Sequence, residues 1–102
     1  MSAIKLEATF SKKGTLKYIS HLDVLRLFQR AARRTELPVS ISQGYTHHYR
    51  IGFEKALKLG VESENEKAIF TMDRWIEPED FAKRMNEELP EGIKVLECRK
   101  RF

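Results

Sequence analysis

The 102-residue chain predicts an α+β fold with one antiparallel sheet and two helices on a single face of it. Three observations carry that prediction. Apolar residues alternate with period two at Ile4–Phe10 and Glu66–Met72, and strand propensity returns at Ile93–Cys98. Two stretches of helical spacing lie between these, one opened by Ser20 and the other by Pro78. Turn-forming residues, among them Pro38, Gly60 and Pro90-Glu-Gly92, separate the pieces. The resulting order of strand, helix, strand, strand, helix, strand (βαββαβ) is that of a ferredoxin-like sandwich. Residues 1–102 read as one domain, because 41% hydrophobic content supports a single modest core at this length.

In the first strand Ile4, Leu6, Ala8 and Phe10 alternate with Lys5, Glu7 and Thr9, the pattern of a half-buried strand. Ser11-Lys-Lys-Gly-Thr15 has the composition of a turn, and Leu16–Ile19 leads into a helix. Ser20 followed by Asp23 is an acidic variant of the capping box, in which the hydroxyl accepts a first-turn amide. At about 100° per residue, Leu22, Val24, Leu25, Leu27, Phe28, Ala31 and Ala32 fall on one arc. Asp23, Arg26, Arg30, Arg33 and Arg34 fall on the other, so the outer face of this helix is cationic. Pro38 bars its continuation.

Val39–Ser42 and Tyr49–Phe53 read as short extended pieces about a bend at Gly44, with Tyr49, Ile51 and Phe53 on one side. After the hairpin-like 60–65 segment, Ala68, Phe70 and Met72 face one way in the next strand. Pro78 suits a first helical position, and the acids around it suit the helix dipole. Phe81, Met85 and Leu89 continue that helix at its own spacing. The basic Arg99-Lys-Arg-Phe102 ending reads as a tail, or as a cut from a longer chain.

Nineteen lysines and arginines against 15 acids give a net charge of +4. The distribution matters more than the sum. Between Lys12 and Arg34, seven cations (Lys12, Lys13, Lys17, Arg26, Arg30, Arg33 and Arg34) face one acid, Asp23. The lone Cys98 excludes an internal disulfide and a cysteine-held metal or iron–sulfur cluster, and reads as a small buried hydrophobe. With no run of about 18 apolar residues and no signal-peptide core, the expected location is the cytoplasm, without a membrane span.

Two constellations point to a ligand. The arginines of the first helix project one turn apart and can each grip a phosphate with two donors, and Lys12, Lys13 and Lys17 extend the patch. The bland alternative is a solvated helix face. The stretch Ser42-Gln-Gly-Tyr-Thr-His-His-Tyr-Arg50 gathers Gln43, Tyr45, His47, His48 and Arg50, groups suited to contacting bases, sugars or phosphates. Adjacent histidines in an extended segment point to opposite sides, so only one of His47 and His48 is expected to face a given pocket. No carboxylate stands at ligand spacing beside them, and no metal site is expected. His21 has two readings, a packed histidine bonded to a neighbouring loop or a further RNA contact. No glycine-rich phosphate loop, zinc motif or nucleophile elbow occurs, so no catalytic residues are assigned.

The run "FSKKGTLKYISHLDVLRLFQRAARRTELPVSISQGY", with "LGVESE" after it, resembles the radical-SAM-linked domain family, whose members are fused to or partnered with radical S-adenosylmethionine proteins. Ser20-His21-Leu22-Asp23, Arg26, Arg30 and Ser42-Gln43-Gly44 carry the resemblance. The family's loop after the glycine runs through an aromatic, Asn-Pro and a second proline, where this chain has Tyr45-Thr-His-His-Tyr49 before Arg50; the stretch before Gly60 also departs, reading Glu54-Lys-Ala-Leu-Lys58.

The resemblance implies a bacterial-type accessory protein. Any S-adenosylmethionine and iron–sulfur cluster would belong to a radical-SAM partner, with no cofactor on this chain. It also hints at RNA, transfer or ribosomal, as a partner. Three functions follow as expectations: an RNA-binding accessory module for RNA modification or processing, a protein-docking module for a radical-SAM enzyme, and a metal-independent ribonuclease-like enzyme using His21 with His47 or His48.

Overall fold

The structure, a computed structural model, describes residues 4–44 and 46–101. Its elements run β1 (Ile4–Lys12), a 3₁₀ helix (Gly14–Tyr18), α1 (His21–Thr35), β2 (Ile51–Phe53), β3 (Ser63–Met72), α2 (Pro78–Glu88) and β4 (Ile93–Arg101). The four strands are antiparallel neighbours in the order β2-β3-β1-β4. This is the predicted α+β arrangement, consistent with a ferredoxin-like sandwich. Among the described residues no helix is long and apolar enough to cross a membrane.

Alternation in the strands decides what is buried. Leu6, Ala8 and Phe10 on β1 and Ala68, Phe70 and Met72 on β3 are all inaccessible or nearly so, and they meet Val24, Phe28, Ala31 and Ala32 of α1 with Phe81 and Met85 of α2. A chain of edge-on rings joins the layers: Phe10 to Phe28 at 4.9 Å, Phe28 to Phe70 at 5.9 Å and Phe70 to Phe81 at 4.8 Å. Such ring pairs add roughly 0.5–1.5 kcal/mol each beyond area burial.

The helix ends follow their sequence signals. Asp23 N donates to Ser20 Oγ at 3.1 Å, the predicted cap, and Pro78 begins α2 with Glu79 and Asp80 in its first turn. At the far end of α1, Glu36 takes the left-handed conformation, and Arg84 of α2 donates to the Thr35 carbonyl at 2.7 Å. Gly92 is required where it stands: its φ is +101°, and a Cβ there would lie 2.8 Å from the Lys13 carbonyl oxygen.

Four expectations are corrected. β1 does not turn at Ser11 but continues through Lys12, with the 3₁₀ helix behind it. Leu22 is half exposed, because His21 and Val24 take the inward side of the first turn of α1. Val39 and Ile41 form single bridges, to Met72 and Tyr49, instead of a strand. The basic ending is no tail as far as Arg101: Arg99 and Arg101 belong to β4, and both reach the Glu7 carboxylate of β1, at 3.0 and 3.6 Å.

Candidate functional site

Residues 41–42 and 48–49 pair as the two arms of a hairpin. Ile41 bridges to Tyr49, and Ser42 N donates to the His48 carbonyl at 2.8 Å. Gln29 of α1 holds it in place from the side: its amide nitrogen donates to the Tyr49 carbonyl and its amide oxygen accepts from Tyr49 N, both at 2.8 Å. Gln29 lies next to Arg30 and one turn before Arg33. The clamp therefore brings the hairpin against the cationic side of α1, and a groove of about 470 Å³ opens between them. Arg30 and Arg33 line one wall, His47, His48 and Tyr49 the other, and exposed Ile41 contributes an apolar surface.

Both histidines border this groove, which corrects the expectation that only one would. The rule of opposite sides holds for extended backbone, and here the chain turns. The His48 ring folds back, with Nδ1 3.1 Å from the Thr46 carbonyl and 3.2 Å from Ser42 Oγ. A carbonyl only accepts, so Nδ1 carries the proton and Nε2 is left for a ligand. The Ser42–His48 contact is accordingly no nucleophile–base pair, since the ring nitrogen nearest the hydroxyl has no lone pair to take its proton.

The remaining cations sort by their partners. Among the described residues Arg30, Arg33 and Arg34 have no ion pair, whereas Arg26 meets Asp23 at 3.0 Å. Lys13 pairs with Glu64, and that hydrogen bond with its charge attraction raises the Lys13 amine above its ordinary range and lowers the Glu64 carboxyl. Lys17 lies over the Tyr18 ring at 5.2 Å. These two lysines belong to the 3₁₀ helix and its start, whereas Arg30 and Arg33 stand in the second half of α1, so the basic stretch of sequence divides between two elements.

Lys12 is withdrawn from the candidate surface altogether. It is 1% exposed, and its amine donates to the Ile19 and Lys58 carbonyls, both at 3.2 Å. It continues the inward series Leu6, Ala8, Phe10 and ties the approach to α1 onto the loop before β3. His21 is likewise turned inward: Nδ1 accepts from Leu57 N at 3.1 Å, and the ring stands edge-on to Phe53 at 4.9 Å. It lines neither of the two grooves that His48 borders and shares no hydrogen-bond partner with His48. Gln43 is exposed at the hairpin tip, and Tyr45 lies outside the described residues.

Arg50 opens onto the other side of the domain. With Ser42 and His48 it lines a groove of about 590 Å³ on the sheet face away from the helices, which also includes Lys5, Thr71 and Arg101. Sequence reasoning missed Gln29, Lys5 and Arg101. Gln29 carries no local signal, being one polar residue at the margin of an amphipathic helix. Lys5 and Arg101 come together only through the β1–β4 register.

Burial, reinforced by the negative charge of Glu7, pushes the Cys98 thiol up to about 12, so it is protonated at neutral pH and a poor nucleophile. Among the described residues no three His, Cys, Asp or Glu side chains gather in a way that could hold a metal ion. No curated protein matches this chain. A family model described as "Uncharacterized protein conserved in bacteria" matches residues 5–101, and that description carries no link to radical chemistry. With nearly its whole length matched, the chain belongs to that bacterial family, DUF2344.

Proposed function

We propose that the domain is an RNA-binding accessory module for RNA modification or processing, with transfer or ribosomal RNA as its ligand. One observation carries the reading: two arginines without an ion pair among the described residues, Arg30 and Arg33, share a groove with two histidines and an aromatic ring. Guanidinium groups hold phosphates with paired donors, while Tyr49, Ile41 and the imidazoles offer stacking and hydrogen-bonding surface to bases. Arg34 and Gln43 are exposed and lie next in sequence or nearly so to groove residues Arg33 and Ile41, which makes them further candidates for contact. The radical-SAM association rests on the sequence resemblance, and any cofactor of that chemistry would be held by a partner chain.

Fluorescence anisotropy with a labelled single-stranded RNA tests the reading. Affinity falls steeply with salt, and Arg30→Glu/Arg33→Glu lowers it at least tenfold at low salt, with a log–log salt slope shallower by about 1.4 for two lost phosphate contacts. Neither arginine has an ion pair among the described residues, so folding is spared. No binding by the wild-type chain at low ionic strength refutes the proposal.

A second reading, docking onto a radical-SAM protein, draws on exposed Tyr18, Leu22, Leu59 and Val61. Gly60 N donates to the Lys17 carbonyl at 2.6 Å, which sets Leu59 and Val61 beside the 3₁₀ helix. Capture of a radical-SAM protein after nuclease treatment, lost on Leu59→Ser/Val61→Ser and kept on Arg30→Glu/Arg33→Glu, favours docking over RNA binding.

A further inference from the structure

We infer that the binding surface continues from the α1 groove around the β2 edge onto the open face of the sheet, and that its ligand is a single strand of RNA rather than a duplex. This inference rests on the RNA-binding reading and deepens it. His48 and Arg50 make the connection. His48 lines both grooves, the one against α1 and the one on the open sheet face, while Arg50 belongs to the second.

The open face presents an ordered row of cations. Arg50 accepts from Thr71 N through its carbonyl; Thr71 pairs with Lys5, and Lys5 pairs with Arg101. The four residues thus lie abreast across four chain segments, spanning about 14 Å at the usual strand spacing of roughly 4.8 Å. Three are cationic, Thr71 lies buried between Arg50 and Lys5, and all four line the same groove. Lys5 and Arg50 have no ion pair among the described residues, and Arg101 reaches Glu7 at 3.6 Å and Glu54 at 3.9 Å, longer than the Arg99–Glu7 contact at 3.0 Å. Beside the row, Gly52 and half-buried Ile69 form a floor, and a Cβ on Gly52 would meet nothing within 4 Å. A row of phosphate-holding groups next to an open, partly apolar floor suits a sugar–phosphate backbone with bases laid flat on the sheet.

Geometry selects the form of the ligand. One groove borders the helix layer and the other opens on the opposite face, so a molecule touching both must bend around the hairpin within a domain whose shortest dimension is 25 Å. Duplex nucleic acid is stiff, with a persistence length near 50 nm for DNA, and bending it so sharply is costly. A single strand turns freely at each phosphate.

The test measures binding of a labelled single-stranded RNA, and of the same sequence as a duplex, to the full chain carrying Lys5→Gln or Lys5→Gln/Arg101→Gln. Lys5 is exposed, and Glu7 keeps Arg99 when Arg101 is replaced, so both variants fold; thermal melts verify this. The double variant binds the single strand roughly three- to tenfold more weakly, with a salt slope shallower by about 1.4. In the wild type, backbone amides of Lys5, Thr71 and Arg101 shift in ¹⁵N-correlation spectra on adding the single strand. Unchanged affinity and slope in the double variant, together with loss on Arg30→Glu/Arg33→Glu, overturn the sheet path and leave the α1 groove standing. Duplex binding as tight as the single strand overturns the choice of strand form, and absence of all binding overturns both proposals.

Discussion

Replacing Gln29 with alanine separates a built site from a chance proximity of charges. The side chain makes two hydrogen bonds to the Tyr49 backbone, each 2.8 Å long, between groups that are half-buried. At about 1 kcal/mol net for each such bond, the change costs roughly 2 kcal/mol. For a domain of about this length, that lowers the melting temperature by about 8–10 °C. Gln29→Met keeps most of the stem packing but neither bond, so it should lose nearly as much; recovery with Met would mean that packing and not the amide holds the hairpin. The functional consequence is separate from the stability loss. The hairpin is tied to α1 chiefly through this clamp, and freeing it removes one wall of the groove beside Arg30 and Arg33. RNA affinity should drop about tenfold in anisotropy titrations at a temperature where the variant is fully folded, because ordering the loop then draws on binding energy. A melting point within 2 °C of wild type, with affinity unchanged, refutes the claim that Gln29 organises the site.

Lys12→Ala removes a side chain that is 1% exposed and leaves two carbonyls without their donor, so chemical denaturation should show a loss of about 2–4 kcal/mol, while RNA binding by the folded fraction stays as it was. Cys98 should resist alkylation by iodoacetamide at pH 8 in the folded chain and react rapidly once unfolded. Because folding raises this thiol from 9.0 to about 12, its contribution to stability is present below pH 9 and is lost as pH climbs toward 12; a Cys98→Ala variant should show a shallower decline over that window.

How much of this was legible before the fold was known differs by element, for physical reasons. α1 was plain because Ser20, the apolar arc and the arginine arc are all set by residues within one helix, and each is a local rule. The inward direction of Lys12 was legible too, had the period of Leu6, Ala8 and Phe10 been carried one step further against the habit of placing lysines outside. Register irregularities were not. Thr9 pairs with Glu97 while Phe10 pairs with Val95, so Leu96 is an extra residue, half exposed, and the bulge is what lets Val95 and Cys98 both turn toward the helices. The alternation rule failed for His47 and His48 because the bonds among Ser42, Thr46 and His48 turn the chain there, and the clamp that sets this hairpin against α1 comes from Gln29, on another element. Likewise the row from Arg50 to Arg101 draws on four chain segments, and no window of sequence contains it.

Glu7 brings stability and binding into opposition on the sheet face. Its side chain is 7% exposed, and the carboxylate bonds Arg99 at 3.0 Å and reaches Arg101 at 3.6 Å, so it holds β4 against β1 while cancelling charge beside the cation row. Glu7→Gln keeps the shape and one acceptor but removes the charge. A hydrogen bond to a charged group contributes about 1.5–3 kcal/mol, and the amide retains part of it, so the melting midpoint in urea should fall by the equivalent of roughly 1–2 kcal/mol. Arg101 is then left with Glu54 alone, at 3.9 Å, and the face gains one net positive charge. If the row receives phosphates, single-stranded RNA should bind this less stable variant two- to fivefold more tightly, with a steeper salt dependence. If instead affinity falls along with stability, the carboxylate serves to aim the arginines and the row is not limited by its charge. Since loss of stability alone never tightens binding, the sign of the change in affinity decides between these two roles.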